Sequence, residues 1–186
     1  MFIETESTPN PATLKFLPGR DVTGDQGTID FVSPDSVAGR SPLAEVLFDL
    51  PGVSRVFMGS DFVSVTKSDE ADWAELKPEI LSTLADHFAA GRPCVEDSQA
   101  VTEDPILPGD EEIVQQIKEL LDTRVRPAVA GDGGDIVFRG YRDGVVRLTM
   151  QGACSGCPSS GATLKHGVEN MLRHYVPEIV SVEQVF

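Results

Sequence analysis

The chain has 186 residues, 40% hydrophobic and 24% charged, with a formal net charge of −15. That is length for one large domain or two small ones, with the composition of an ordinary globular protein. The acidic balance excludes a nucleic-acid binder, which needs Lys and Arg to displace phosphate counterions. No apolar stretch reaches the ~18 residues of a membrane span.

The charge is uneven. Residues 1–93 hold 7 Lys/Arg and 15 Asp/Glu, residues 94–112 hold no base and 7 acids, and residues 113–186 hold 8 of each. The excess lies entirely in the first two segments. The N-terminus, MFIETESTPNP, has no basic n-region, apolar h-region or Arg/Ser-rich amphipathic stretch, so no signal or transit peptide is expected within it. A transit peptide already removed leaves no trace.

In chain order, Phe2–Glu6 is a short strand, Pro9-Asn10-Pro11 a turn, and Leu14 and Phe16 mark a second strand closed by Pro18-Gly19. Thr28–Val32 is a third. Ser41 before Pro42 predicts a helix start, with Ser as N-cap and Pro at the first helical position. Leu43, Leu47 and Leu50 give that helix an apolar face. Val53–Met58 and Phe62–Lys67 flank Gly59-Ser60-Asp61 as a hairpin. Trp73, Leu76, Ile80, Leu84 and Phe88 recur at helical spacing and are core residues by that period.

The composition then shifts. GRPCVEDSQAVTEDPILPGDEE has neither helical nor strand period and reads as an extended acidic linker kept open by self-repulsion. Asp110 is an expected N-cap, and Glu111 and Glu112 suit a helix first turn. Ile113, Ile117, Leu120 and Leu121 form the buried stripe. Arg124 and Arg126 complement the far end, and Pro127 is expected to stop the helix. Ile136–Tyr141 and Val145–Met150 are strands joined at Asp143-Gly144, a strong hairpin signal. Leu164, Val168, Leu172 and Tyr175 mark another helix, and Val180–Val185 a last strand. The expected architecture is α+β in two small domains, 1–93 and 110–186, separated by linker 94–109. The second domain has the order α-β-β-α-β, with the cysteine loop before its second helix.

There are three cysteines, Cys94, Cys154 and Cys157, too few and too odd in number for a disulfide framework. Cys154 and Cys157 are spaced C-x₂-C, which lets two sulfurs converge on one metal centre across a turn built on Ser155 and Gly156. Pro158 suits a helix start, with Ser159 or Ser160 as cap. Sulfurs near a helix N-terminus are expected to have lowered thiol pKa values. A cluster or a Cys₄ zinc site takes four thiolates, and this chain offers two in the motif. Cys94 stands alone some sixty residues away, and His87, His166 and His174 show no ligand spacing. The simplest route to four sulfurs is two chains, each giving Cys154 and Cys157 across a two-fold axis. The pair alone also fits two structural cysteines, half a zinc site, or a thiol–disulfide redox pair. The redox reading has the C-S-G-C-P placement in its favour and the hairpin-rich order against it.

At these residues a resemblance becomes specific. RPAVAGDGGDI at 126–136 and GACSGCPSSGATLKHGVE at 152–169 resemble the NifU C-terminal domain. FIETESTPNPATLKFLPG at 2–19 and SPLAEVLFDLPGVSRVF at 41–57 resemble the Nfu-type N-terminal domain. The resemblance implies an iron–sulfur cluster scaffold or carrier and not an enzyme. Cys154 and Cys157 would be ligands to a 4Fe–4S cluster shared between two chains, so the partners are a second copy when loaded, upstream cluster donors and apo iron–sulfur targets, with no nucleic acid and no membrane. It implies a bacterial cytoplasmic protein, or a mitochondrial matrix protein if the chain is a processed eukaryotic one. Gly131, Asp132, Gly133, Gly134 and Asp135 match the family's Asp-Gly-Gly-Asp loop, expected to be a turn that sets the hairpin. Cys94 matches no family ligand.

Overall fold

The computed structural model describes residues 1–96, 102–157 and 161–186. The chain divides into two compact units, Met1–Gln99 and Ala100–Phe186.

In the first unit, strands β1 (Glu4–Ser7), β2 (Thr13–Leu17), β3 (Ile29–Phe31), β4 (Val53–Met58) and β5 (Val63–Lys67) form one antiparallel sheet in the order β1-β2-β5-β4-β3. The Pro-Asn-Pro turn is held by Asn10, whose Oδ1 accepts from the Ala12 amide at 3.0 Å. Two helices cover the sheet, α1 (Pro42–Phe48) and α2 (Trp73–Ala89). Helix α1 begins where Ser41 and Pro42 predict, with the Ser41 hydroxyl accepting from the Ala44 amide at 3.0 Å. The core is the inward face of the sheet, including Phe16, Phe31, Val56, Met58, Val63 and Val65, against Leu43, Leu47, Leu76, Ile80 and Leu84 from the helices. Alternation in the strands and the 3.6 period in α2 produce those two faces.

The second unit has helix α3 (Glu111–Leu120), a π-helical turn at Leu121–Val125, helix α4 (Arg126–Gly131), strands β6 (Gly134–Arg142) and β7 (Val145–Gly152), helix α5 (Gly161–Tyr175) and strand β8 (Ser181–Gln184). The sheet order is β6-β7-β8. β6 and β7 are an antiparallel hairpin, and β8 joins β7 in parallel, which requires a crossover that α5 provides. The hairpin turns at Asp143 and Gly144, both with positive φ (52° and 81°), as Asp-Gly predicts. The core gathers Val114, Ile117 and Leu121 with Ile136, Leu148, Val168 and Leu172.

Three local expectations need correction. Asp110 makes no side-chain cap, and the Glu111 carboxylate accepts from the Gly109 amide at 2.8 Å instead. Pro127 does not end the helical run. The π turn resets it, and Pro127 falls in the first turn of α4, where its missing N–H costs nothing. The Gly131–Asp135 loop does not set the hairpin turn. It opens β6 at the opposite end, where Gly134 pairs with Gly152 and Asp135 with Gln151.

The acidic stretch is held at both described ends. The Cys94 carbonyl accepts from the Ser41 hydroxyl at 2.5 Å, and the Glu96 amide donates to the Arg40 carbonyl at 2.8 Å. In the second unit, the Asp104 amide donates to the Arg139 carbonyl at 2.6 Å, and its carboxylate meets Arg147 at 2.7 Å. Glu103 meets Lys118 at 2.5 Å. Among the described residues, no helix is long and apolar enough to cross a membrane.

Candidate metal centre

Cys154 and Cys157 lie just beyond the carboxyl end of β7, at the entry to the crossover. That is where strand ends in mixed α/β arrangements leave room for ligands. The turn starts when β7 ends at Gly152. The Ala153 amide then donates to the Gly133 carbonyl at 3.1 Å, and the Ser155 amide to the Gly152 carbonyl at 3.1 Å. Gly156, between the cysteines, has φ +75°, a conformation an L side chain rarely adopts. Both cysteines are buried, at 6% and 5% exposure, and neither is in a disulfide.

The floor under Cys154 is Gly134. A Cβ there would lie 2.6 Å from Cys154 Sγ and 2.7 Å from the Gln151 carbonyl oxygen. Only a residue without a side chain lets β6 pass so close beneath the sulfur. The next residue, Asp135, is 3% exposed. Its carboxylate accepts Arg126 Nε at 2.9 Å and Nη2 at 2.8 Å, and also the Ile136 amide at 2.8 Å. Arg126 also reaches Asp122 at 3.0 Å. The fork holds the guanidinium proton more tightly than usual, first through its hydrogen bond to Asp135, so Arg126 stays charged.

The electrostatics run opposite to the expected lowering of the thiol pKa. Burial pushes the Cys154 thiol up to about 12, and Asp132, Asp135 and Cys157 add to the rise. A helix N-terminus lowers a thiol only where its amides face the sulfur. The described part of α5 begins at Gly161, and the expected start at Pro158 with a Ser159 or Ser160 cap lies outside the described residues.

The other candidates are not brought here. Cys94 packs into the core of the first unit, and its thiol is pushed up to about 11 by burial, with Arg20 pulling it back. His87 is buried in that unit, with its Nε2 at 3.1 Å from the Pro93 carbonyl. His166 and His174 are exposed on α5. Among the described residues, no group of three or more His, Cys, Asp or Glu could hold a metal ion.

Residues 3–91 match the family described as scaffold protein Nfu/NifU N terminal, and residues 117–183 match the NifU-like domain. The chain belongs to the Nfu family of iron–sulfur cluster scaffolds. Among relatives of this Nfu chain is a Drosophila erecta protein named NFU1 iron-sulfur cluster scaffold homolog, mitochondrial. It is 55% identical over 186 residues, covering 100% of this chain and 65% of the relative. The Drosophila virilis protein of the same name is 54% identical over the same residues, covering 62% of its length. The chain thus spans just under two thirds of the curated relatives it matches. A solution structure of a NifU-like protein from Saccharomyces cerevisiae aligns with TM-score 0.48 and 29% identity, over 53% of this chain and 87% of that one.

Sequence reasoning singled out Cys154 and Cys157 and missed what packs around them. Arg126 was assigned to a helix end, and Asp135 and Gly134 to a turn. The available signal was the pair of acids bracketing two glycines, a composition with more charge than a simple turn needs.

Proposed function

We propose that Cys154 and Cys157 of two chains together hold a 4Fe–4S cluster as cargo, and that this protein passes it to apo-proteins. The observation that carries the reading is the single turn that brings two thiols to one place and, among the described residues, no third donor beside them. Two thiols are half the set a cluster takes, and a second copy is the simplest source of the rest. The family match and the relatives' names support cluster scaffolding.

Both sulfurs are buried in the single chain, so a second chain meets them only if the turn around Gly156 changes. Each thiol gives up its proton on binding iron. Release reverses this: a thiolate of the recipient takes each iron site as Cys154 or Cys157 leaves and is reprotonated. No bond of a substrate is turned over, so the role is carriage. Burial raises the proton affinity of the Cys154 thiol, which disfavours the thiol–disulfide reading, since that needs a stabilised thiolate. Residues 1–93 are assigned to docking recipients and residues 110–186 to the cluster, with 94–109 joining them.

Anaerobic reconstitution tests this. About four irons and four sulfides per two chains are expected, with the loaded form sedimenting as a dimer. Cys154→Ser and Cys157→Ser should each abolish loading, and Cys94→Ala should not. A zinc-loaded monomer free of sulfide, or a Cys154→Ser variant that keeps its cluster, overturns the assignment.

A further inference from the structure

The sheet order leaves β6 as an edge strand, and an open edge is a template for another segment. One position on it is hollow. The Gly140 backbone is not in the left-handed region, so its conformation does not call for glycine. Nor does the bulge beside it, between Phe138 and Gly140, since a bulge requires glycine only where φ is positive. What a side chain would strike is Asp104. The three atoms nearest to a Cβ at this position are Asp104 Cβ and Cγ, each at 2.9 Å, and Oδ2, closer still. The missing side chain makes a notch that a carboxylate fills.

Three further contacts complete the seat. Arg147, the neighbour of Gly140 across the hairpin, meets the Asp104 carboxylate at 2.7 Å. The Asp104 amide donates to the Arg139 carbonyl at 2.6 Å. Glu103 meets Lys118 at 2.5 Å, and Lys118 lies 5.2 Å over the Phe138 ring. Phe138 belongs to the core face while Arg147 lies on the other, so the two acids straddle the edge. We propose that this seat docks an extended acidic segment of a partner protein, read as adjacent Glu and Asp, and that the chain's own Glu103 and Asp104 hold it until the partner displaces them.

Charge selects this occupant. Residues 139–147 carry three arginines against one aspartate, in a chain of charge −15. Among the described residues, Arg139 and Arg142 form no ion pair, so the positive charge here exceeds what Asp104 uses. The chain's own segment holds loosely. Its two ion pairs are about one third to two fifths exposed, and such pairs are weak. Tethering keeps it in place by local concentration alone. A glycine inside a strand weakens the strand, and fastening the acidic run would not require one, because the ion pairs and the backbone bond do that without a notch. Nothing in this seat depends on a bound cluster.

The test is fluorescence anisotropy on the metal-free full chain at about 20 mM sodium chloride, where screening is weak. The probe is a fluorescein-labelled peptide with one Glu-Asp pair in a Gly/Ser frame, beside a Gln-Asn control peptide. Asp104→Ala empties the seat and is expected to bind the probe about threefold to tenfold more tightly than wild type, since a site held part of the time by its own segment loses that fraction of its affinity. Adding Gly140→Ala to that chain fills the notch and is expected to weaken binding about tenfold or more, the effect of a built-in clash. The urea midpoint should not fall, because alanine suits a strand interior better than glycine. Arg147→Gln in the Asp104→Ala chain is expected to weaken binding with the notch left open. The proposal is overturned by no binding to the Asp104→Ala chain, by equal affinity in wild type, by binding that survives Gly140→Ala or Arg147→Gln, or by equal binding of the Gln-Asn peptide. If the metal-free wild-type chain sediments as a dimer that Asp104→Ala turns into monomers, the occupant is a second copy and the proposal also fails.

Discussion

The two classes of cysteine are separated by where their burial puts them. Cys94 is a core residue of the first unit, 7% exposed, with its carbonyl tied to the Ser41 cap. Its folded-state thiol titrates near 11, whereas an unfolded cysteine titrates at ~8.5. The neutral form is the one the fold accommodates. As pH rises past the unfolded value the unfolded chain loses its proton first, so the contribution to stability is intact below that value and falls away up to about 11. The expected outcome is a urea midpoint that drops between pH 9 and 11 in wild type and drops less in Cys94→Ala. An equal slope in both proteins contradicts this account. The same burial makes Cys94 slow to react with iodoacetamide at pH 8, with labelling that follows global unfolding by denaturant.

At the scale of elements, the π turn is the device that builds the site. A continuous α-helix from Glu111 would carry Arg126 on another face. The extra residue per turn at Leu121–Val125 rotates it so that one guanidinium spans Asp122 and Asp135. π-helical turns often mark functional positions for this reason. Arg126→Gln leaves the Asp135 carboxylate buried without its fork. Breaking a fully buried pair costs about 3–5 kcal/mol. Arg126 is 39% exposed on its side chain, so water screens part of this, and about 2 kcal/mol is expected from urea unfolding. Arg126→Lys should recover less than half, because an ammonium cannot reproduce the two parallel bonds. Full stability in either variant contradicts a structural role for the fork.

Elements like these show what a sequence displays. Ser41-Pro42 and Asp143-Gly144 were readable because cap and turn chemistry is local, decided within four residues. The apolar periods of α2 and of β7 were readable because the core enforces them. Cys154 and Cys157 were readable from spacing. The π turn was not, since no residue type in Leu121–Val125 demands it, and the Asp135 carboxylate that Arg126 meets just after it lies further along the chain. Gly134 looked like turn material. Its reason is a sulfur 20 residues later in the chain, a contact made only when β6 and β7 pair.

For the molecule as a whole, the governing fact is a charge of −15 that the fold partly contains by seating acids on its few bases. The run 94–112 has no base of its own, yet its described residues Glu103 and Asp104 reach Lys118 and Arg147 in the second unit. These pairs are about one third to two fifths exposed, so each is worth at most about 1 kcal/mol and weakens with salt. The backbone bond from the Asp104 amide to the Arg139 carbonyl depends on that seating. Raising sodium chloride from 20 mM to about 0.5 M, where the Debye length falls from about 20 Å to about 4 Å, should therefore quicken hydrogen exchange at the Asp104 amide and cleavage after Glu103 by a Glu-specific protease. Amides in the core strand β7 should be unaffected. Arg147→Gln should produce the same local loosening at low salt and abolish most of the further effect of salt. If exchange at Asp104 is indifferent to both salt and Arg147, this part of the acidic run is held by packing rather than charge. In that case the acidity of this run serves the surface of the protein and not its attachment.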